Sequence, residues 1–405
     1  MPFTGQKIRH TAQHWFESPG GGARLLPMEG LRGLAVLVVF FVHAHAFFGP
    51  YIASYPRLFS VSEYLGRIGN AGVDLFFVLS GFIIYGALVR KRIPYFTFLR
   101  RRVKRIYPTF LAVLSIYLLL SLLLPAESRI PAHSWAAAKY IAANILFLPG
   151  VFRIAPIITV AWSLSFEFAF YICAPLVVLV LGADTQNRFR RLAILTTMWL
   201  CFSIVEVFLH GTHIRMLSFF SGMLLQEVTA GKSIRLFLSR KGQWVSIAAV
   251  VLLASYHFVL EPKLSGTHSS GVLSLALMSV AIFSFVLHAL EYPGALQKVC
   301  VWTPLRYWGN ISYSYYLAHG ITLNALATLL ARLHPTEHPL ACYSLALSCG
   351  MLATWVGASM LYLVVERPFS LAPKKHQGSP QAFVTASLSW SWRRGRSAAQ
   401  LSGNP

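Results

Sequence analysis

Runs of about twenty apolar residues recur along this chain, and they constrain it more than any other feature. Ten are delimited by polar or basic segments: 31–48, 72–89, 106–124, 163–182, 191–209, 215–230, 244–260, 271–290, 308–331 and 343–366. Each is near the length at which an α-helix crosses a hydrocarbon core of about 30 Å, although 215–230 is short. Backbone polar groups in that medium must be satisfied inside the chain, which a helix achieves within one segment. The expected fold is therefore all-α: a polytopic integral membrane helix bundle of about ten transmembrane helices. Composition agrees, since 12% of residues are charged and 56% hydrophobic, with mean hydropathy +0.59; a soluble domain carries about 25% charged residues.

Charge sets the expected orientation. The formal charge of +22 arises from 35 Lys and Arg against 13 Asp and Glu. Taken alone it suits nucleic-acid binding, but basic residues flanking apolar helices are better explained by topology, and no nucleic-acid partner is expected. With ten spans and both termini cytoplasmic, 27 basic residues fall inside and 8 outside. An eleventh candidate, residues 135–149, contains Lys139 and Asn144; were it to cross, the fifteen basic residues after it would move outside. It is read as a re-entrant or interfacial helix in a long outer loop. The organisation expected is a cytoplasmic basic segment (1–27), a membrane domain (28–370) and a cytoplasmic tail (371–405) without stable structure. The tail's Arg393-Arg394-Gly395-Arg396 suits anionic lipid headgroups. The length of the basic segment and the spans that follow favour an uncleaved first helix, despite Ala44-His45-Ala46. Five cysteines without a C-x-x-C pair indicate neither a disulfide framework nor a metal site.

The informative residues are ionisable groups inside the apolar runs, which are costly there and usually functional. In the first run Arg32 precedes His43 by eleven residues. That spacing returns to within roughly 20° on the helix face, about 16 Å further along. Glu29 shares the stripe. The second run opens with Asp74, at a depth comparable to His43 from the outer surface; a carboxylate beside an imidazole fixes its tautomer and raises its basicity. Asp74 also suits a helix cap, and the two roles are compatible. His45 points to the opposite face and is expected to be structural or interfacial. Between the second and third runs lies the densest basic cluster, Arg90-Lys91-Arg92 and Arg100 to Arg105. Topology and lipid contact account for part of it. Arg102 and Arg105, three apart, share a face and can fork onto one phosphate, with Arg32 at the same inner surface. Glu167 is a carboxylate among aromatics in the outer leaflet. His319 follows Tyr315 and Tyr316 near mid-membrane and reads as a histidine hydrogen-bonded within the bundle. Glu366-Arg367-Pro368 reads as a helix-terminal ion pair with a proline stop.

Taken together and in order, these pieces resemble the acyltransferase 3 family of polytopic membrane O-acyltransferases. The matching stretches are Glu29 to Ala35 with His43, Gly72 to Phe82, Arg102-Val103-Lys104-Arg105 with Tyr107-Pro108, and Trp162-Ser163-Leu164 with Glu167. Ile311 to Ser314 with Tyr316-Leu317 and His319, and Glu366-Arg367-Pro368, complete the set. Two departures stand out: Glu29 occupies a place where aspartate is more usual, and no hydrolase-like domain follows the last span, as in stand-alone members. The resemblance implies that no cofactor is bound and that an acyl-CoA, most often acetyl-CoA, serves as co-substrate from the cytoplasm. It implies a sugar hydroxyl as acceptor, on an O-antigen, exopolysaccharide, lipopolysaccharide or lipid-linked precursor, at a bacterial cytoplasmic (inner) membrane. On that reading His43, oriented by Asp74 or Glu167, is general base or transient acyl carrier. Arg32, Arg102 and Arg105 receive the phosphates of CoA, and Glu29, Tyr316 and His319 support the site. Two alternatives stay open: a flippase or transporter of a lipid-linked glycan, against which the absence of an internal repeat counts, and an acyltransferase with a non-glycan acceptor.

Overall fold

The computed structural model describes residues 15–16, 26–91, 93–125, 128–180, 187–209, 214–264, 267–333 and 339–371. Most of the basic N-terminal segment, Arg92 and the tail beyond 371 lie outside the described residues. Among those described, every regular element is a helix. Eight of these helices are long and apolar enough to cross a membrane, and the chain is an all-α polytopic membrane protein.

Over its described residues each of the ten apolar runs is essentially helical, with boundaries set by local chemistry. Helix α1 (Leu26–Phe48) carries Pro27 in its first turn, where the missing N–H costs no helical bond. A helix that apolar periodicity alone did not reveal, α2 (Pro56–Ile68), follows before α3 (Ala71–Lys91). Helix α4 (Tyr95–Leu123) starts directly after Pro94, eleven residues before the apolar run at 106. Its basic cluster is therefore helical, as the good helix propensity of Arg and Lys allows. Helix α5 (Ser134–Ile145) has 12 residues, about 18 Å, and is too short to cross the bilayer. Buried Asn144 holds its end, accepting a hydrogen bond at Oδ1 from the Ile157 amide (2.8 Å).

The remaining helices are α6 (Trp162–Val180), α7 (Arg188–Leu209), α8 (Leu217–Thr229), α9 (Arg240–Ser255), α10 (His268–Glu291) and α11 (Ala295–Cys300). Then come α12 (Thr303–Asn310), α13 (Ser312–Leu333) and α14 (Pro339–Leu361). Two differences from the sequence reading matter. The run at 308–331 is broken at Ile311, so α12 and α13 are separate helices. The last run does not stop at its proline: a π-helical segment, Tyr362–Ser370, carries the chain through Pro368.

Helix α1 is the centre of the bundle. It packs against α2, α3, α10, α11, α12, α13 and α14, whereas α7 and α9 are largely exposed along their apolar lengths. Its contact with α12 brings backbone onto backbone: a Cβ at Gly309 would sit 1.7 Å from the Glu29 carbonyl oxygen. Small residues are what permit such approach between membrane helices. An ion pair locks the contact, with Arg306 Nε and Nη2 each 2.8 Å from Glu29 Oε2. Glu29 thus belongs to helix packing. On the opposite face of α1, His45 Nδ1 lies 3.0 Å from Ser62 Oγ of α2, which also accepts from the Tyr343 hydroxyl of α14 at 2.8 Å.

Replacing Gly309 with Ala is expected to separate α1 from α12 and lower stability by about 1–3 kcal/mol. Gly357→Ala, where an added Cβ would meet Thr322 Oγ1 at 4.0 Å, serves as the tolerated control. Thermal unfolding of the purified protein in detergent distinguishes the two.

Candidate active site

Two cavities lie at different levels of the bundle. The first, about 280 Å³, is lined by Arg32 from α1, Arg102 and Arg105 from α4, and Glu167 and Tyr171 from α6. Three cations thus face one space with one carboxylate. Among the described residues Arg32 has no hydrogen-bond or ion-pair partner. Arg102 stacks on Phe98 and Tyr171, its Cζ 5.2 and 5.5 Å from the ring centroids, and its Nε makes no hydrogen bond. A stacked guanidinium keeps its N–H edge available for an anion. Arg105 is different. It donates from Nη1 to Glu366 Oε1 at 2.6 Å and lies over the Tyr313 ring. Glu366 is fully buried, and its other oxygen accepts from the Ser314 amide (3.2 Å) and hydroxyl (2.5 Å). This corrects the helix-terminal pairing of Glu366 with Arg367. The chain runs on past Glu366, so its carboxylate turns inward to α4 and α13, while Arg367 lies over Trp15.

The second cavity, about 530 Å³, is lined by His43 from α1, Tyr117 and Leu120 from α4, and Gly320 and Arg332 from α13. Helix rise places it beyond the first. Arg32 and His43 are eleven residues apart, about 16 Å, and Ile106 and Tyr117, which line the first and second cavities, are also eleven apart. A thin polar partition lies between. Tyr316 lines the first cavity, and its hydroxyl donates at 2.9 Å to the carbonyl of Val160, which lines the second. Ser163 Oγ lies 2.8 Å from the same hydroxyl.

His43 is placed against His319, with ring centroids 4.8 Å apart. His319 is fully buried, and its Nδ1 lies 3.2 Å from the Tyr315 carbonyl oxygen. A carbonyl only accepts, so the proton is assigned to Nδ1 and the lone pair to Nε2. Nε2 has no hydrogen-bond partner. The Tyr316 ring lies 5.7 Å from His319 by centroid, joining the histidine pair to the partition.

The two carboxylates expected beside His43 are engaged elsewhere. Asp74 is fully buried and pairs with Arg215, Oδ2 to Nη2, at 3.7 Å. Glu167 accepts from Ser80 Oγ (3.1 Å) and from the Tyr171 hydroxyl (2.5 Å), inside the arginine cavity. Depth alone suggested the pairing, but direction decides. Asp74 turns toward Arg215, which lies in the Ile214–Met216 turn just before α8. The Glu167 partner Ser80 lies six residues, about 9 Å, deeper along α3. Sequence reasoning placed Arg32, Arg102 and Arg105 together, and the structure brings them to one cavity. It missed Glu366 as a buried partner, Arg215 as the partner of Asp74, and the Ser163–Tyr316–Val160 partition. The nearest signal for the last was the sequence pair Ser163 and Tyr316, both within motif stretches.

Residues 27–362 match the family model described as an acyltransferase domain. The chain is 26% identical over 325 residues to the O-acetyltransferase OatA of Staphylococcus aureus, covering 73% of this chain and 50% of that protein. It is 25% identical over 324 residues to the peptidoglycan O-acetyltransferase OatA of Listeria monocytogenes, covering 72% and 48%. A putative O-acetyltransferase of Staphylococcus aureus is 23% identical over 376 residues, covering 85% and 57%. The chain spans about half the length of the curated relatives it matches. No solved structure matches it. With the family model extending from the first turn of α1 to the end of α14, this integral membrane protein belongs to the acyltransferase 3 family.

Proposed function

We propose that the protein transfers an acetyl group from acetyl-CoA, taken up from the cytoplasm, to a hydroxyl of a cell-surface or lipid-linked sugar in a bacterial cytoplasmic membrane. One observation carries this reading: three arginines converge on a cavity at one end of α1, and His43 opens on a second cavity about 16 Å further along. The names of the relatives, O-acetyltransferases including one for peptidoglycan, support a glycan acceptor.

Arg32 and Arg102 receive the phosphates of CoA, because guanidinium forks match phosphate oxygens and are stronger in a low-dielectric cavity. Arg105, already paired with Glu366, adds positive field and holds α4 in place. The thioester arm reaches along α1 toward the histidine pair, past the Tyr316 hydroxyl. At the second cavity the acceptor oxygen attacks the thioester carbonyl carbon. The carbon–sulfur bond breaks, CoA leaves as thiolate, and the hydroxyl proton passes to His43, which returns it to the sulfur. In the covalent variant His43 first carries the acetyl group, then yields it to the sugar. His319, protonated at Nδ1, packs its ring edge-on against His43, centroids 4.8 Å apart. It thereby supplies the orientation that a carboxylate gives in other bases.

Vesicles containing the protein and labelled acetyl-CoA test the reading. His43→Ala is expected to lower label transfer to the host glycan by about 10²–10⁴-fold at normal protein levels; unchanged transfer removes His43 from the chemistry. No label on any acceptor from the wild type would favour transport of a glycan instead. For the donor, Arg32→Gln and Arg102→Gln are each expected to raise the KM for acetyl-CoA about tenfold or more, with a smaller change in kcat. Steady-state CoA release measures both, and an unaltered KM in both variants overturns the phosphate assignment.

A further inference from the structure

We infer that the acceptor is anionic, and that Arg129 and Arg332 hold its charge at the mouth of the His43 cavity. The inference rests on the acetyl-transfer reading above and extends it to the acceptor's chemical class. Both arginines line this cavity and are exposed at its mouth, yet they come from unrelated places: Arg129 from the loop after α4, Arg332 from the last turn of α13. Neither makes an ion pair with a described residue, and no acidic side chain lines the cavity among the described residues. Of the other basic residues on the same side of the bundle, Arg67 bonds Glu63 at 2.8 Å, Arg215 pairs with Asp74 and Lys139 lies over the Trp135 ring, while the exposed Arg57, Arg153 and Lys263 do not line the cavity.

A cation in the last turn of a helix gains from the helix dipole, which accounts for Arg332 by itself. It does not account for a second arginine delivered to the same opening by a loop. Two unopposed cations at a cavity mouth raise the local concentration of anions and disfavour neutral or cationic competitors. Their position also limits where the charge lies on the acceptor. Arg332 is thirteen residues beyond His319 on α13, about 20 Å along the axis. Even with its side chain folded back, the anionic group is at least one sugar ring removed from the reacting hydroxyl. Polar side chains spaced down α13, Asn324 and Thr328, line the interval and suit sugar hydroxyls. Two acceptor types carry such a charge: a glycan with a carboxylate on a neighbouring residue, and a sugar chain joined to lipid through phosphate.

The test uses the full chain in vesicles with labelled acetyl-CoA and three acceptors sharing one oligosaccharide: neutral, carrying one uronate, and joined to lipid through diphosphate. The wild type is expected to favour at least one anionic acceptor over the neutral one by about tenfold in kcat/KM, through KM, with the advantage shrinking as salt rises. Which acceptor gains identifies carboxylate or phosphate. The double variant R129Q/R332Q is expected to bring the ratio near one, and R129K/R332K to restore most of it. Equal kcat/KM for neutral and anionic acceptors in the wild type overturns the inference, as does an equal loss on all three acceptors in the double variant. If no acceptor is labelled while His43→Ala matches the wild type, the acetyl-transfer reading has failed rather than this one.

Discussion

The arrangement of this bundle depends on a buried carboxylate, Glu366, at the point where three helical segments meet. Its two oxygens bind Arg105 of α4 and the Ser314 amide and hydroxyl of α13, while its own backbone lies in the π-helical segment that follows α14. An isolated ion in such an interior is prohibitively costly, and a paired one is tolerated only when its remaining lone pairs are also satisfied. Glu366 meets that condition. Removing either partner would strand a charge, so the node fixes α4, α13 and the C-terminal end of the membrane domain together. The wall of the arginine cavity is built on this node: Arg105 and Tyr313 both face it.

Buried charges elsewhere obey the same rule with different outcomes. Glu29 with Arg306, and Glu227 with Arg191 (2.7 Å), are short pairs that staple helices. The Asp74–Arg215 pair is looser, at 3.7 Å, with aromatic rings of Trp162 and Phe258 stacked on the guanidinium. Arg32 and Arg102 stand apart from these staples, for neither forms an ion pair, and the one carboxylate in their cavity, Glu167, is held by Ser80 and Tyr171. Within a protein that pairs several of its buried ions so closely, two guanidinium groups directed at a cavity support the anion site proposed there.

Much of this was legible in the chain because hydrophobic length and positive charge are strong signals. All ten apolar runs became helices, and the short run 215–230 became a 13-residue helix. The Arg32–His43 stripe could be read from helical period alone, and the structure sets those two residues in separate cavities along α1 as the spacing requires. Pairings across helices were not legible. Sequence gives depth but not azimuth, so Asp74 and Glu167 were assigned to His43 when their side chains face Arg215 and Ser80 instead. The partner that does meet His43, His319, lies 276 positions away, and its proximity follows from α1–α13 packing rather than from any local pattern. Proline at 368 misled for a related reason: a π-helical segment absorbs it, so the helix end moved and Glu366 turned inward.

The partition of Tyr316, Val160 and Ser163 bears on the membrane as an insulator as well as on chemistry. The linings of the two cavities meet at these residues, and a continuous water file through them would conduct protons. A tyrosine hydroxyl committed to a backbone carbonyl on one side and to a serine on the other offers no free relay. On the proposed transfer, the tyrosine would have to move only while the donor arm occupies the gap. The substrate itself would then serve as the plug, and the electrochemical gradient would stay intact during the reaction.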